Sequence, residues 1–258
     1  MCCHFLSPMK TLRFAALALL GMLAFARPAV AQTAAPPVDV AAAAAAARQH
    51  YTSAFISHPE LYEGPEYFDY SKPYHTRTGH QFFLSTEPEA GSVAYNQHAF
   101  GQVTLNYDIV LDQVVLSPPQ SPLTMRLINE KVTAFAIGKH HFTRLVADSA
   151  SGSVIRTGYY EVLLDNAVQV LAKRSKRLQE RLNQSFIDVE FTQSDKLFIE
   201  KAGRYYSVSS KSSAMRLFAD RNKEMQKYLQ DHKLRFNKTG REAAIVALAT
   251  YYCSLPKQ

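Results

Sequence analysis

The chain has 258 residues, with 29 Lys and Arg against 22 Asp and Glu, and 47% of it is hydrophobic. With 10 Gly, 12 Pro and 3 Cys it is a globular composition, which excludes a collagen-like chain, a disulfide scaffold and a disordered polymer. The formal charge of +7 is unevenly spread, and its distribution says more than its total.

Residues 1–31 read as a secretory signal peptide. Lys10 and Arg13 form a basic start, Phe14 to Phe25 is an apolar run, and Ala29-Val30-Ala31 is a small-residue cleavage site. The apolar run is shorter than the about 20 residues needed to cross a bilayer, so no transmembrane span is expected in the mature chain. Met9 begins a complete signal by itself. Cleavage after Ala31 removes Cys2 and Cys3 and leaves Cys253 alone, so an exported, periplasmic or secreted chain has no intramolecular disulfide and relies on its core.

Without residues 1–31 two opposed halves remain. Residues 32–170 hold 8 basic and 13 acidic side chains, net −5; residues 171–258 hold 18 and 9, net +9. The densest basic run is Lys173, Arg174, Lys176, Arg177 and Arg181, which reads as a candidate anion-binding surface or as a solvated face. Export argues against nucleic acid and favours an envelope protein, anionic lipid or acidic glycan as partner.

In chain order, residues 32–54 are a linker and an alanine-rich helix capped by Asp39. Residues 51–75, with five tyrosines among acidic residues and Pro59, Pro65 and Pro73, are expected as an ordered loop over a sheet, with rings buried and hydroxyls wet. From residue 55 to 210 the pattern is period-2 alternation interrupted by turns. Val103, Leu105 and Tyr107 form one strand, Val114 and Leu116 the next, and Leu123, Met125 and Leu127 a third. Val132 to Ile137, Phe142 to Val146, Tyr159 to Leu164, Ala167 to Ala172, Lys196 to Lys201 and Arg204 to Ser209 follow. Ser151-Gly152-Ser153 is a loop, and Gly138-Lys139, Asp165-Asn166 and Ala202-Gly203 are hairpin turns. One face of this meander is expected to be apolar and the other wet.

The periodicity changes in residues 211–258. A helix capped by Ser212 or Ser213, a second carrying Met225, Tyr228 and Leu229, and a third behind a Thr239–Glu242 capping box are expected. The third places Ile245, Leu248, Tyr252 and Leu255 on one stripe and ends at Pro256. The fold class is therefore α+β: an antiparallel β-meander, open, curved or half-barrel, with two or three C-terminal helices packed on it.

No glycine-rich phosphate loop, H-E-x-x-H, G-x-S-x-G or cysteine pair occurs in the mature chain, and no cofactor is implied. His75, His80, His98, His140 and His141 are the candidate metal ligands, with the adjacent His140 and His141 pointing to opposite faces of a strand. Asp108 and Asp112 read as a carboxylate pair or as turn residues. The segments LYEGPEYFDY, GHQFFL, GSVAYNQHAFGQVTLNYDIVLDQVVL and GYYEVLLDNAVQVLAKRSK, with residues 196–252 at the end, resemble an uncharacterised exported family of Bacteroidota. The resemblance spans about residues 55–253 and implies a β-rich exported protein with no assigned activity; Asp165-Asn166 stands where the pattern has Asp-Gly. The functional expectation is an exported, non-enzymatic envelope protein that binds or scaffolds. The alternatives are a periplasmic carrier of a lipid or other apolar ligand, and a metal-dependent hydrolase built on the histidines.

Overall fold

In the computed structural model of the protein the described residues are 59–118, 122–147, 154–183 and 186–256, together with Ala44, which is helical. The expected signal peptide, most of the expected alanine-rich helix with its Asp39 cap, Tyr51 and the expected Ser151-Gly152-Ser153 loop lie outside them. The chain divides into residues 1–54 and 55–258, and every strand among the described residues belongs to the second unit.

Short turns join most of the strands, so neighbours in sequence pair antiparallel. The strands are β1 (Thr76–Thr78), β2 (Glu89–Tyr95), β3 (His98–Asp108), β4 (Gln113–Leu116), β5 (Met125–Arg126), β6 (Val132–Ile137) and β7 (His140–Leu145). They continue as β8 (Gly158–Leu164), β9 (Val168–Lys173), β10 (Lys176–Asn183), β11 (Phe186–Gln193), β12 (Lys196–Lys201) and β13 (Arg204–Ser207). Ten of them form one antiparallel sheet in the order β13-β12-β9-β8-β7-β6-β2-β3-β4-β5. It is a meander that crosses back once, from β5 to β6 beside β2; β13 ends it on one side, and on the other β5 bridges through Met125 to Glu66. Asn96-Gln97 and Ala202-Gly203 turn two of its hairpins with both residues left-handed.

Three bulges bend the sheet. Gln102, with φ 55°, is the extra residue of β3 against β2, so Phe100 and Val103 face the same core although three positions apart. The register also slips between β2 and β6 and between β8 and β9. The bent end wraps a core in which Tyr107, Phe135, Phe142 and Tyr159 meet, with Phe135 and Phe142 stacked at 4.6 Å. Leu61, Tyr62 and Phe83 of residues 59–85 close over it.

The other end of the same face meets the helices α1 (Lys211–Leu217), α2 (Asn222–Asp231) and α3 (Arg241–Ser254). Val170, Ala172, Leu197 and Ile199 bury against Phe218, Met225, Ile245 and Leu248. The expectation of one wet face fails here. Tyr160, Leu171 and Phe198 point to the opposite face and form a third cluster with Ile155, so β8, β9 and β12 are covered on both sides. Tyr160 is as buried as its neighbour Tyr159, although the two rings point to opposite faces.

Both capping expectations shift. Ser210, not Ser212 or Ser213, caps α1, in a reciprocal box with Ser213. Before α3 the box does not form: Gly240 stands at the cap, Asn237 accepts its N–H at 2.8 Å, and Glu242 turns away to Arg174. The strand expected over Leu123 to Leu127 shrinks to two residues. Missing altogether from the expectation was a second sheet, β1-β11-β10, in which β1 pairs parallel with β11. The long β10–β11 hairpin is an arm inserted between β9 and β12.

Candidate functional site: a charged seam and the arm it anchors

Antiparallel partners share a face, so Phe142 opposite Glu161, and Glu161 opposite Ala172, place His140 and Glu161 on the face that carries both main cores. They lie at the border between the two. Glu161 is 4% exposed there, and a carboxylate so placed requires partners. Arg174 Nε donates to it at 2.5 Å, and His140 Nδ1 lies 2.5 Å from its other oxygen. The same guanidinium donates to Asp195 at 2.9 Å and clasps Glu242 at 2.7 and 2.9 Å. Burial pulls the Arg174 pKa down, but hydrogen bonds and charge from Glu242, Glu161 and Asp195 outweigh it and hold the group cationic. Phe83 packs edge-on to His140 at 5.1 Å and lies under Arg174 at 6.0 Å.

This seam ties together β7, β8, the turn before β10, the turn after β11, and the first turn of α3. It holds both ends of the arm. Ser175 N–H donates to Asp195 at 3.1 Å, and the Ser175 hydroxyl donates to the Ser194 carbonyl at 2.5 Å. Lys176 Nζ donates to the carbonyls of His80 and Phe82 at 2.8 and 2.6 Å. Beside the seam is a cleft of about 720 Å³ lined by Asp195, Lys238, Thr239, Arg241 and Glu242. A carboxylate-oriented imidazole is half of a general-base arrangement. Among the described residues no Ser, Thr or Cys side chain hydrogen-bonds to His140.

The five basic residues of the run separate. Lys173 pairs with Asp112 at 2.7 Å and donates to the Tyr159 carbonyl; burial lowers its pKa more than Asp112 restores it. Arg174 is taken up by the seam and Lys176 by the base of the arm. Arg181 pairs with Glu190 at 2.8 Å on the exposed arm. Arg177 is exposed and has no ion-pair partner among the described residues. Most of the acceptors this run meets are therefore the chain's own carboxylates and backbone carbonyls.

The histidines do not converge. His75 stacks on Phe186 at 4.3 Å, burial and the charge of Lys176 lower the His80 pKa, and His98 contacts the Asn96 carbonyl. His140 faces Glu161 while its neighbour His141 is exposed. Among the described residues no group of three or more His, Cys, Asp or Glu could hold a metal ion. Asp108 and Asp112 also separate. Asp108 is fully buried and accepts from Tyr67 and Tyr70 hydroxyls at 2.8 and 3.2 Å and from the Val110 and Leu111 N–H groups. Tyr67 and Tyr70 thus give their hydroxyls to a buried carboxylate and not to water, while Tyr74 donates to Glu180 of the arm. Asp112 takes the Tyr107 hydroxyl at 2.5 Å and Lys173.

Sequence reasoning overlooked the arm itself. Its tip exposes Leu182 (80%), Phe186 (53%) and Ile187 (46%). The available signal was the alternation of Leu178, Glu180 and Leu182 and of Ile187, Val189 and Phe191, hidden inside what read as a basic run. No protein-family model, curated protein or solved structure matches this chain.

Proposed function

We propose that this chain is an exported envelope protein that acts by binding and not by catalysis, with the β10–β11 arm as its contact surface. The observation that carries the reading is the arm's tip. Leu182 and Ile187 sit opposite each other in the hairpin, with Phe186 beside them, all exposed. Exposed apolar side chains clustered at one point mark an interaction site more often than the same residues scattered singly. The salt-bridged base supports the same role, because a clamp at Arg174 holds the hairpin in one orientation.

The alternatives have less behind them. A lipid carrier needs an enclosed space, and the wrapped face of the sheet is filled by packed rings. A metal-dependent hydrolase needs converging histidines. An anionic lipid or glycan surface finds few free cations in the basic run.

Native mass spectrometry of the protein isolated from the periplasm tests the proposal. The wild-type chain is expected to carry a second polypeptide, and the triple variant Leu182→Ser, Phe186→Ser, Ile187→Ser to lose it while keeping its fold. An unaccompanied monomer in both, or substrate turnover abolished by a point mutation, overturns it.

A further inference from the structure

We infer that the free edge of β10 receives an extended segment in which acidic and apolar side chains alternate; this rests on the arm being the contact surface. β10 ends the three-stranded sheet. Its inner edge pairs with β11 over eight consecutive residues without a register slip. Lys176, its first residue, donates its N–H to the Ile109 carbonyl at 3.2 Å; beyond it the outer edge presents regularly spaced N–H and C=O groups, the template for an added strand. Natural edges of this kind are usually protected by proline, a bulge or brevity. β10 contains no proline and no bulge, and it is among the longest strands of the chain.

The side chains state what the added strand must carry. One face of β10 shows Arg177, Gln179 and Arg181, and the other Leu178, Glu180 and Leu182. The chain answers this pattern once, on the inner edge. Asp188 lies opposite Arg181, Glu190 binds Arg181 at 2.8 Å, Phe191 lies opposite Leu178 and Ile187 opposite Leu182. That answer is incomplete: Arg177 has Thr192 and no carboxylate opposite it in β11, and Leu182 is still 80% exposed, so an outer strand has a charge and an apolar surface to meet. A strand reading acid–apolar–acid–apolar satisfies both faces together, through charge on one and burial on the other.

The probe is a synthetic octapeptide with the sequence of residues 186–193, FIDVEFTQ, added to the full mature protein and followed by amide hydrogen exchange. Saturable slowing of β10 amides by tenfold or more is expected, with the helices unaffected. A control peptide with Lys in place of its Asp and Glu is expected not to protect. Arg177→Glu, which breaks no ion pair among the described residues, is expected to weaken the acidic peptide at least tenfold and to admit the Lys peptide. Unchanged β10 exchange at millimolar peptide, or equal binding to the Arg177→Glu protein, overturns the inference. Loss of the co-isolated polypeptide in the tip variant alongside unprotected β10 would leave the contact-surface reading standing and the edge inference refuted.

Discussion

Gly158 has no side chain because two charged groups occupy the space where one would go. A Cβ built there would stand 2.1 Å from Asp112 Oδ2 and 2.5 Å from Lys173 Nζ, and the backbone at φ 150° disfavours other residues. Gly158→Ala is expected to force the half-buried Asp112–Lys173 pair apart and to cost about 2–3 kcal/mol. Gly101→Ala, with nothing within 4 Å of the new methyl, serves as the control. Denaturant midpoints for the two variants check this.

Asp108 makes a different prediction at the same scale. Burial raises its pKa above the ordinary 3.8, against four hydrogen bonds from Leu111, Tyr67, Val110 and Tyr70 that favour the anion. A carboxyl whose folded-state pKa is raised binds its proton more tightly when folded. Its contribution to stability is complete below the unfolded value of about 3.8 and is lost as the pH rises through the folded value. Wild type is therefore expected to gain stability relative to Asp108→Asn as the pH falls from neutral toward 4. Paired urea titrations across that range read the difference, and a constant or opposite difference would refute the assignment.

Among the elements, the arm depends most on one residue. Arg174 is 10% exposed and faces three carboxylates, of which Glu161 is almost completely buried. Removing it leaves Glu161 with only His140, and breaking a buried pair in this way costs about 3–5 kcal/mol. Arg174→Ala is expected to lose that order of stability and to raise hydrogen exchange in β10 and β11 before β8. Arg174→Lys recovers part of it, since a single ammonium cannot clasp Glu242 while reaching Glu161. Helix α1, only seven residues long, depends on its cap, and Ser210→Ala is expected to cost about 1 kcal/mol, read from the same unfolding curves.

For the whole molecule, β8 makes the two main cores one structure. Tyr159 belongs to the wrapped core, Leu163 and Leu164 pack on the helical core, and Tyr160 anchors the third cluster on the opposite face. Truncation in either core should therefore lower a single shared transition. Phe142→Ala and Leu248→Ala, each expected to cost about 2–5 kcal/mol, should both leave coincident unfolding curves by circular dichroism and tyrosine fluorescence. The chain has no Trp to complicate the second probe. Two separated transitions would show that the cores fold independently.

Much of the fold was legible in local chemistry. Val132 to Ile137, Lys196 to Lys201 and the Ala202-Gly203 turn are where alternation and turn residues place them, because a period of two and a left-handed turn are properties of neighbouring residues. The α+β class and the helical C-terminal end follow from the same signals. Three features were not legible. The cap of α3 was misplaced because Glu242 finds a guanidinium 68 positions away, a stronger partner than a local N–H. The second buried face of β8 and β9 was missed because Tyr160 is covered by Ile155, Leu171 and Phe198, which alternation within one strand cannot reveal. The arm was hidden because charge drew the reading of residues 173–181 toward a surface. Along the chain, that run is five cations close together and nothing more. It takes the packed fold to make Arg174 close an internal seam, to turn Lys173 and Lys176 inward, and to leave Arg177 exposed on the arm. Charge is a property of a residue, but whether it meets water, a buried carboxylate or a partner depends on what the fold brings opposite it.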